Sequence, residues 1–306
     1  MSKIIVITGP TATGKTVLGA LLAKNANGEV VSADSMQVYK HMDIGTAKPT
    51  FEDMQGIRHH MLDIVPPWED YSVSRYVQDA SVCVEDILRR DMLPVIVGGT
   101  GLYIESLCSG RVFSQRADAG LRKELEDEYD RLGGHAMLEK LAGFDRESAA
   151  KFHANDKRRI IRAFEVFRLT GTTISQHNQD TQAFAPRYNA VKIALTFSDR
   201  AQLYSRIDSR IDAMVTAGLE REVRGLLGTG LNPRCTSMQA IGYKEMADAV
   251  LGRCTVDEAV EKIKMESRRY AKRQLSWLRR DQSIKWIEWD KTPDFDFGLS
   301  FSTKYL

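Results

Sequence analysis

Residues 4–16, IIVITGPTATGKT, decide the fold class of this chain. The run Ile4–Thr8 is rich in β-branched residues and predicts a short buried strand. The segment Gly9–Thr16 fits the pattern G-x-x-x-x-G-K-[ST], and the apolar residues after it predict a buried helix. Strand, glycine-bounded loop and helix in this order are the local context of a P-loop in an α/β fold.

This loop predicts a site for a di- or triphosphate. Its glycines let successive backbone N–H groups converge on one anion, and the following helix adds the positive end of its dipole. Lys15 supplies a positive charge for the outer phosphate. The Thr16 hydroxyl can hold Mg²⁺, which prefers oxygen ligands. The loop by itself leaves open which reaction the phosphate compound undergoes.

The composition is that of an ordinary soluble globular protein. The 306 residues are 43% hydrophobic and 27% charged, and the formal net charge is +2. Nucleic-acid binding would therefore require local clusters of cations. The four cysteines contain no C-x-x-C pair, which fits a reducing cytoplasm and indicates neither a disulfide framework nor a zinc site. We predict no signal peptide and no membrane span.

Two further strand ends carry polar side chains. Residues 29–33 predict a strand that ends at Asp34, and residues 93–97 predict a strand that is followed by Gly98-Gly99-Thr100. Ligands of open α/β sheets lie at the carboxyl ends of the strands, so we expect Asp34 and Thr100 to face the same crevice as Lys15. Asp34 fits a turn or helix cap equally well, and the pattern alone does not separate these interpretations.

Residues 38–67 show little periodicity and predict a long connection, a kind of segment that is often functional. The segment contains His59-His60. Adjacent histidines point apart, and no third ligand is evident, so a metal site is disfavoured there. Residues 71–90 predict a helix with one apolar face.

Residues 113–182 change to helical patterns, predicted at 121–132, 137–142, 147–151 and, after the cap Asn155-Asp156, at 157–169. Strand character returns at 191–197, and a last short strand is predicted at 286–289. The helices between them are predicted at 201–217, 219–227, 241–251 and 256–280. We therefore predict an α/β fold: a P-loop NTPase-like parallel sheet flanked by helices, formed by 1–112 and 183–306, with 113–182 as an inserted all-helical subdomain.

Two basic clusters stand out against the small net charge. The first, residues 157–162, opens a helix with Arg158 and Arg162 on one face. The second, residues 262–280, carries eight basic residues against one acid, with Tyr270 and Trp277 among them. Cations at helical spacing can follow a phosphate backbone, and aromatic rings can stack on bases. The alternative is a solvated helix face with both aromatic side chains buried.

Three functions compete on this evidence. A P-loop kinase or NTPase usually has a second carboxylate after an apolar strand, and the strand 95–97 ends without one. A nucleotide-switched binding protein would leave Asp34 without a role. A transferase with a diphosphate leaving group would hold the diphosphate in the P-loop and activate an acceptor with Asp34.

Seven segments together resemble the tRNA dimethylallyltransferases, the tRNA isopentenylpyrophosphate transferase family of bacterial type. The resemblance runs from residue 4 to about residue 289. The segments are GPTATGKT (9–16), SADSMQVYKHMDIGTAKPT (32–50), GGTGLY (98–103), HANDKRRIIRAFEVF (153–167), RIDSRIDAM (206–214), QAIGYKE (239–245) and KRQLSWLR (272–279).

The resemblance implies transfer of a dimethylallyl group from dimethylallyl diphosphate to N6 of adenosine 37. This base lies next to the anticodon of tRNAs that read codons starting with U. It implies Asp34 as the general base and Arg210 as a diphosphate ligand, with Thr11 against the donor. Lys15, Thr16 and Mg²⁺ would stabilise the leaving diphosphate. Because no nucleotide is hydrolysed, the missing second carboxylate is accounted for.

The resemblance also implies which residues contact the anticodon stem-loop. Thr100 and Arg122 are two of these residues. The helical insertion, residues 113–182, is also implied to bind tRNA. The alignment at Arg122 is the least secure, since Ser114–Gly120 departs from the family in length and composition. The predicted contacts in four segments are Asp34, Ser35, Met36 and Gln37; Arg158, Arg159, Ile160, Ile161 and Arg162; Met238, Gln239, Ala240, Ile241, Gly242 and Tyr243; and Lys272, Arg273, Gln274, Leu275, Ser276, Trp277, Leu278 and Arg279. The P-loop contacts to diphosphate are Gly9, Pro10, Thr11, Ala12, Thr13, Gly14, Lys15 and Thr16.

A second prenyl acceptor has to be considered, because an enzyme that prenylates free AMP, ADP or ATP would share the P-loop and Asp34. Such an enzyme would have little use for the two basic helices. We expect no counterpart of the C-terminal zinc finger of eukaryotic members. From the family we expect a monomer.

Overall fold

The computed structural model describes residues 2–110, 118–182 and 185–306. The chain divides into two compact units. Unit 1 consists of residues 1–108 and 187–306, and unit 2 of residues 109–186. The boundaries predicted at 112/113 and 182/183, and part of the segment Ser114–Gly120, lie outside the described residues.

Unit 1 is built on one parallel sheet of six strands in the order β3-β2-β4-β1-β5-β6. The strands are β1 (Lys3–Thr8), β2 (Gly28–Ser32), β3 (His59–His60), β4 (Leu93–Val97), β5 (Asn189–Phe197) and β6 (Lys285–Trp289). In β1 the side chains of Ile4–Ile7 are fully buried. This is expected of a parallel strand with helices on both faces of the sheet.

The helices alternate with these strands and then dominate the C-terminal part of unit 1. In chain order they are α1 (Lys15–Asn25), α2 (Phe51–Met54), α3 (Val73–Arg89), α4 (Gly101–Cys108), α5 (Ala119–Leu132), α6 (Gly134–Ala142), α7 (Arg146–Lys151), α8 (Lys157–Thr170), α9 (Ile174–Gln182), α10 (Arg200–Ala217), α11 (Leu219–Gly228), α12 (Tyr243–Val250), α13 (Val256–Leu278) and α14 (Phe295–Thr303). In the described residues, no helix has both the length and the apolar character that a membrane crossing requires.

Helices α5–α9 make up the regular structure of unit 2. Their core includes Leu125, Met137, Leu141 and Phe164, together with the pair Ile160 and Ile161 from α8. The described part of this unit is helical, with its own apolar core. Asp156 precedes α8, as expected, but its carboxylate accepts the N–H of His153 and not an N–H of the helix.

The fold class predicted from the sequence is confirmed, and the differences concern short elements. The connection 38–67 contains α2 and β3, which are too short to produce a periodic pattern. Helix α9 has a mostly polar sequence, and α14 follows a proline-containing turn, so neither stands out as an amphipathic segment.

The histidine pair of β3 is part of the sheet edge. His60 Nε2 lies 2.7 Å from Glu29 Oε2, and His59 Nδ1 lies 2.9 Å from the Ile57 carbonyl oxygen. Arg90 donates two hydrogen bonds of 2.7 Å to the same Glu29 carboxylate. The Arg90 hydrogen bonds, opposed by burial and assisted by His60, lower the pKa of Glu29 from 4.5 to about 2.

Replacing Arg90 with methionine is expected to lower the free energy of unfolding at neutral pH, because Glu29 would stay buried without its main cation. A carboxyl with a depressed folded-state pKa adds stability above its unfolded value, here 4.5, and loses it as the pH falls toward about 2. The difference between wild type and Arg90→Met should therefore shrink on acidification through this window. Urea denaturation followed by tryptophan fluorescence measures it.

Arg89→Met is the matched control, since Arg89 lies next to Arg90 on the exposed side of α3 and, within the part of the chain that the structure describes, pairs with Asp86 alone. We expect it to change stability little at any pH. A stability difference for Arg90→Met that stays constant with pH would contradict the assigned role of Glu29.

Candidate active site

The P-loop lies between β1 and α1 and is held in place by close backbone contacts. Gly9 has φ of 138°, and a Cβ there would lie 2.3 Å from the carbonyl oxygen of Leu195 on β5. Thr13 Oγ1 donates to the Pro10 carbonyl at 2.8 Å, and Lys15 Nζ donates to the same oxygen at 2.6 Å. The lysine side chain therefore folds back over its own loop.

Lys15 shares its surroundings with a second basic side chain, Arg210 on α10, and both residues are half-buried. Burial lowers the pKa of Lys15 from 10.5 to about 7, with Arg210 acting in the same direction and the Asp34 carboxylate opposing. Burial also lowers the pKa of Arg210, and Asp34 again opposes the change. When both basic groups are protonated, the single carboxylate of Asp34 does not balance their charge, and an anionic ligand is favoured.

Asp34 follows β2 and stabilises a tight turn. Its Oδ1 accepts the N–H groups of Met36 at 2.9 Å and Gln37 at 3.4 Å. Its other carboxylate oxygen makes no hydrogen bond to a described residue. The two interpretations of Asp34 are thus compatible: one oxygen caps a turn, and the side chain lines the cavity described below.

Thr100, after β4, joins this turn to the neighbouring strand. Its Oγ1 accepts the Ser35 N–H at 3.1 Å and lies 3.4 Å from the Ser35 hydroxyl. The three polar strand ends expected from the sequence, those of β1, β2 and β4, therefore meet at one edge of the sheet.

Helix α13 completes this edge through Gln274. The side-chain Oε1 of Gln274 accepts the Thr11 N–H at 3.3 Å, and its Nε2 donates to the Gly99 carbonyl at 2.8 Å. Gln274 thereby connects the P-loop to the loop after β4. One turn earlier, Tyr270 lines the same cavity, where burial and then the Asp34 charge raise its pKa to about 12.

These elements enclose a cavity of about 370 Å³. Its polar wall includes Thr11, Lys15, Thr16, Asp34, Ser35, Gln37, Thr100, Arg210, Gln239, Tyr270, Arg273 and Gln274. Its apolar wall includes Ile207, Ile211, Met214, Ala240, Ile241 and Ile263. A cavity that combines phosphate-binding groups, one carboxylate and an apolar wall suits a ligand with a charged end and a hydrocarbon end.

Comparison with known proteins decides the family. The sequence pattern of the family described as IPP transferase matches residues 37–281, and that of the family described as isopentenyl transferase matches residues 2–66. A tRNA dimethylallyltransferase of Acetivibrio thermocellus is 44% identical over 306 residues, which cover 100% of this chain and 97% of that protein. The chain belongs to the IPP transferase family.

Other relatives and solved structures agree with this membership. A tRNA dimethylallyltransferase of Caldanaerobacter subterraneus is 48% identical over 288 residues, 93% of this chain and 91% of that protein. The crystal structure of a tRNA isopentenylpyrophosphate transferase from Bacillus halodurans has a TM-score of 0.72 and 40% identity, with 100% of this chain and 99% of that chain covered. A eukaryotic dimethylallyltransferase acting on tRNA has a TM-score of 0.83 and 30% identity, with 99% and 78% covered. As a member of the IPP transferase family, the chain is a prenyltransferase enzyme.

Several residues that the family resemblance places at the RNA have buried side chains. Ile160 and Ile161 belong to the core of unit 2, while Met238, Tyr243, Leu275 and Leu278 are buried in unit 1. Trp277 packs on Gly101 and on the cluster of Ala194, Leu278 and Ile284. The Trp277 ring therefore packs against the protein. This packing is what the alternative interpretation of residues 262–280, a solvated helix face with buried aromatic side chains, requires of this ring.

The basic side chains of the same segments are more accessible. On α13 and just after it, Lys272, Arg273, Ser276 and Arg279 are exposed at spacings that place them along one side of the helix. In unit 2, Arg158 and Arg159 are exposed, and Arg162 is half-buried. Arg122 pairs with Glu126 and lies 3.6 Å from the buried Glu165.

The apolar wall from α10 was not predicted as part of the site of this IPP transferase. A signal for it exists in RIDSRIDAM, because Ile207, Arg210, Ile211 and Met214 have the i, i+3, i+4, i+7 spacing of one helix face. His59 also lines the cavity, and its buried Nε2 has no hydrogen-bond partner among the described residues.

The residues fit a bound Mg²⁺. Thr16 lines the cavity, and its hydroxyl makes no hydrogen bond to any described residue. Mg²⁺ usually keeps several waters and is bound by one or two protein oxygens plus phosphates of a substrate. In the described residues no group of three or more His, Cys, Asp or Glu side chains could hold a metal. Thr16 would hold such an ion as a single protein donor or beside the one carboxylate of the cavity, Asp34, with phosphate oxygens of the ligand and water as the other ligands.

Binding of a diphosphate is expected to draw a proton onto Lys15. With a pKa of about 7, this lysine is largely neutral at about pH 8, and an adjacent anion favours its charged form. At about pH 8, wild type should take up roughly one proton more than Lys15→Arg, whose side chain is always charged. Calorimetric titration in two buffers of different ionisation enthalpy measures this uptake.

The titration of diphosphate itself is common to both proteins and cancels in the comparison. At about pH 6 the difference should vanish, since Lys15 is already charged there. Lys24→Arg, at an exposed lysine of α1, controls for the substitution and should behave as wild type. Equal proton uptake by wild type and Lys15→Arg at the higher pH would contradict the assignment.

Proposed function

We propose that this chain transfers the dimethylallyl group of dimethylallyl diphosphate to N6 of an adenosine in tRNA. The observation that carries the proposal is the meeting of P-loop, Lys15, Arg210 and Asp34 in one cavity with an apolar wall. Family membership and the names of the relatives support the same reaction. The target proposed from the family resemblance is adenosine 37 of tRNAs that read codons starting with U.

In the proposed step the bond between C1 of the donor and the diphosphate oxygen breaks as the bond between N6 and C1 forms. The exocyclic amine is a weak nucleophile, because its lone pair is delocalised into the purine ring. Asp34 accepts the proton that N6 loses. Its Oδ1 is engaged by the turn at Met36 and Gln37, so the other oxygen is the atom assigned to this task. General base catalysis of this kind contributes about 10²–10⁴-fold.

The leaving diphosphate takes the electron pair of the broken bond. The backbone amides of the P-loop, Lys15 and Arg210 would stabilise its charge. Lys15 would exchange the Pro10 carbonyl for a phosphate oxygen, and the amide of Thr11 would exchange Gln274 in the same way. Mg²⁺ held by Thr16 would neutralise part of the diphosphate charge.

The acceptor base must leave its stack to reach a cavity of this kind. Arg273 lines the cavity, and Lys272 and Arg279 continue the exposed cationic side of α13. We propose that this side contacts the phosphates of the anticodon stem-loop, with the exposed arginines of α8 as further RNA contacts.

A monomeric state and a cytoplasmic location are also proposed. Light scattering during size-exclusion chromatography tests the monomeric state.

Incorporation of radiolabelled dimethylallyl diphosphate, in the presence of Mg²⁺, tests the function. We expect label in unmodified tRNA and none in AMP or ATP. Asp34→Asn should keep tRNA binding within a few-fold and lower turnover by at least about a hundredfold, since an amide cannot accept the proton. Asp91→Asn, in the exposed turn after α3, is the control for this substitution.

Label in free nucleotide alone would replace the tRNA acceptor with a nucleotide acceptor. Absence of label from all acceptors would refute prenyl transfer by this chain. Unchanged turnover of Asp34→Asn would reduce Asp34 to its role in the turn.

Neutralising the cations of α13 is expected to weaken tRNA binding. Lys272→Gln with Arg273→Gln should flatten the plot of log binding constant against log salt concentration by about 1–2 units of slope, since fewer counterions are released. Donor affinity should change little. Filter binding across a salt series measures the slope.

The control removes the same charge elsewhere, through Lys24→Gln with Lys304→Gln at two exposed lysines of α1 and the C-terminus. It should leave the slope nearly unchanged. A double variant of Lys272 and Arg273 with the wild-type slope would exclude this side of α13 from the RNA contact.

A further inference from the structure

Glu222 on α11 lies outside the lining of the cavity, yet its carboxylate receives four hydrogen bonds. Its Oε2 accepts the backbone N–H groups of Asp43 and Ile44, each at 2.9 Å. Its Oε1 accepts the N–H of Gly45 at 3.2 Å and the hydroxyl of Tyr243 at 2.5 Å. One side chain thus binds three consecutive amides of a segment 177 residues or more away in sequence.

These three amides open the segment 43–47, which forms part of the cavity wall through Gly45 and Thr46. The same segment accepts hydrogen bonds from Gln37, whose Nε2 lies 3.3 Å from the carbonyl oxygens of Thr46 and Ala47. The N–H of Gln37 in turn donates to Asp34 Oδ1. A continuous series of hydrogen bonds therefore runs from Glu222 through segment 43–47 and Gln37 to Asp34.

The arrangement requires an ionised carboxylate. Three N–H donors and a hydroxyl converge on two oxygens, and a carboxylate offers about four lone-pair sites with no donor of its own. Burial, followed by the Glu222 charge, raises the pKa of Tyr243 well above its ordinary value, so its hydroxyl remains a donor. The fit is tight, since a Cβ on Gly45 would lie 2.4 Å from the Tyr243 ring.

We propose that Glu222 is a positioning residue, which holds segment 43–47 in the conformation that keeps Gln37 and the Asp34 turn in place for the acceptor. The inference rests on the proposed prenyl transfer for its kinetic readout. Its structural readout, the protection of the amides of residues 43–45, does not depend on that function. The donor side of the cavity is assigned to other residues, those of the P-loop with Lys15 and Arg210.

Glu222→Gln tests this role, since it keeps the shape of the side chain but turns an NH₂ group toward at least one of the N–H donors. Amide hydrogen exchange of residues 43–45, measured by NMR, should speed up at least about tenfold. Turnover with tRNA should fall at least about tenfold, whereas the dissociation constant for the donor should stay within about twofold. A general loss of stability would change both quantities, so a fall in turnover with tRNA at an unchanged donor dissociation constant would not arise from it.

Glu220→Gln is the matched control. Glu220 lies on the same helix, and its Oε1 accepts a hydrogen bond of 2.6 Å from Arg224 at the surface. Glu220→Gln removes the same charge as Glu222→Gln. Wild-type exchange and wild-type turnover in Glu222→Gln, as in this control, would overturn the proposal. So would equal losses in turnover and donor binding together with a large drop in melting temperature.

Tyr243→Phe keeps the test decisive if Glu222→Gln does not fold. It removes one of the four hydrogen bonds and retains the ring beside Gly45. A smaller increase in exchange at residues 43–45, with a smaller loss of turnover, would support the role of Glu222, and no change in either would refute it. Lack of incorporation by wild type would instead refute the proposed function, and amide exchange alone would then decide whether Glu222 holds the segment.

Discussion

The structure of unit 1 depends on how closely the backbone approaches itself where the parallel strands end. At Gly9 and at Gly98, a Cβ would lie 2.3 Å and 2.2 Å from the carbonyl oxygens of Leu195 and Ala33. Only glycine lets β1 and β4 leave the sheet beside their neighbours at these distances. This close approach brings the P-loop, the Asp34 turn and Thr100 to one edge. The remaining features of the site are added to that edge by elements that come later in the chain.

Burial of charge follows from this arrangement. Lys15 and Arg210 are desolvated in the same cavity, and one carboxylate, Asp34, offsets their repulsion only in part. A bound diphosphate would supply the negative charge that Asp34 alone does not provide. The strand β4 ends in Gly98-Gly99-Thr100 and supplies no second carboxylate for nucleotide hydrolysis. The same cavity instead offers an apolar wall, which a prenyl group can use.

Distant parts of the chain hold the catalytic loops in place. Gln274 joins the P-loop to the loop after β4, and Trp289 Nε1 donates to the Thr13 carbonyl at 2.9 Å. Phe295 of α14 packs against Gly14, where a Cβ would lie 2.9 Å from the Phe295 ring and the φ of 87° also disfavours a side chain. Glu222 holds segment 43–47 through its hydrogen bonds to the N–H groups of residues 43–45. The C-terminal helices therefore shape the site from outside, in addition to any contact with RNA.

Local sequence determined the strand, P-loop and first helix, since their geometry depends on neighbouring residues: β-branched residues for β1, glycines for the loop and an apolar helix after it. Strand ends and family motifs also predicted Asp34, Thr100 and Arg210 as site residues, and all three line the cavity. Only the tertiary structure decided how these residues meet, because Gln274 lies 263 residues from Thr11 and Glu222 lies 179 residues from Asp43. The burial of Ile160 and Ile161 and the partial burial of Trp277 were seen only in the packed structure, because the family resemblance assigns whole segments to the RNA and does not separate their core-facing side chains. Hydrogen bonds between distant segments leave no periodic trace in a sequence, and for that reason the residues that position the site appear only in the folded chain.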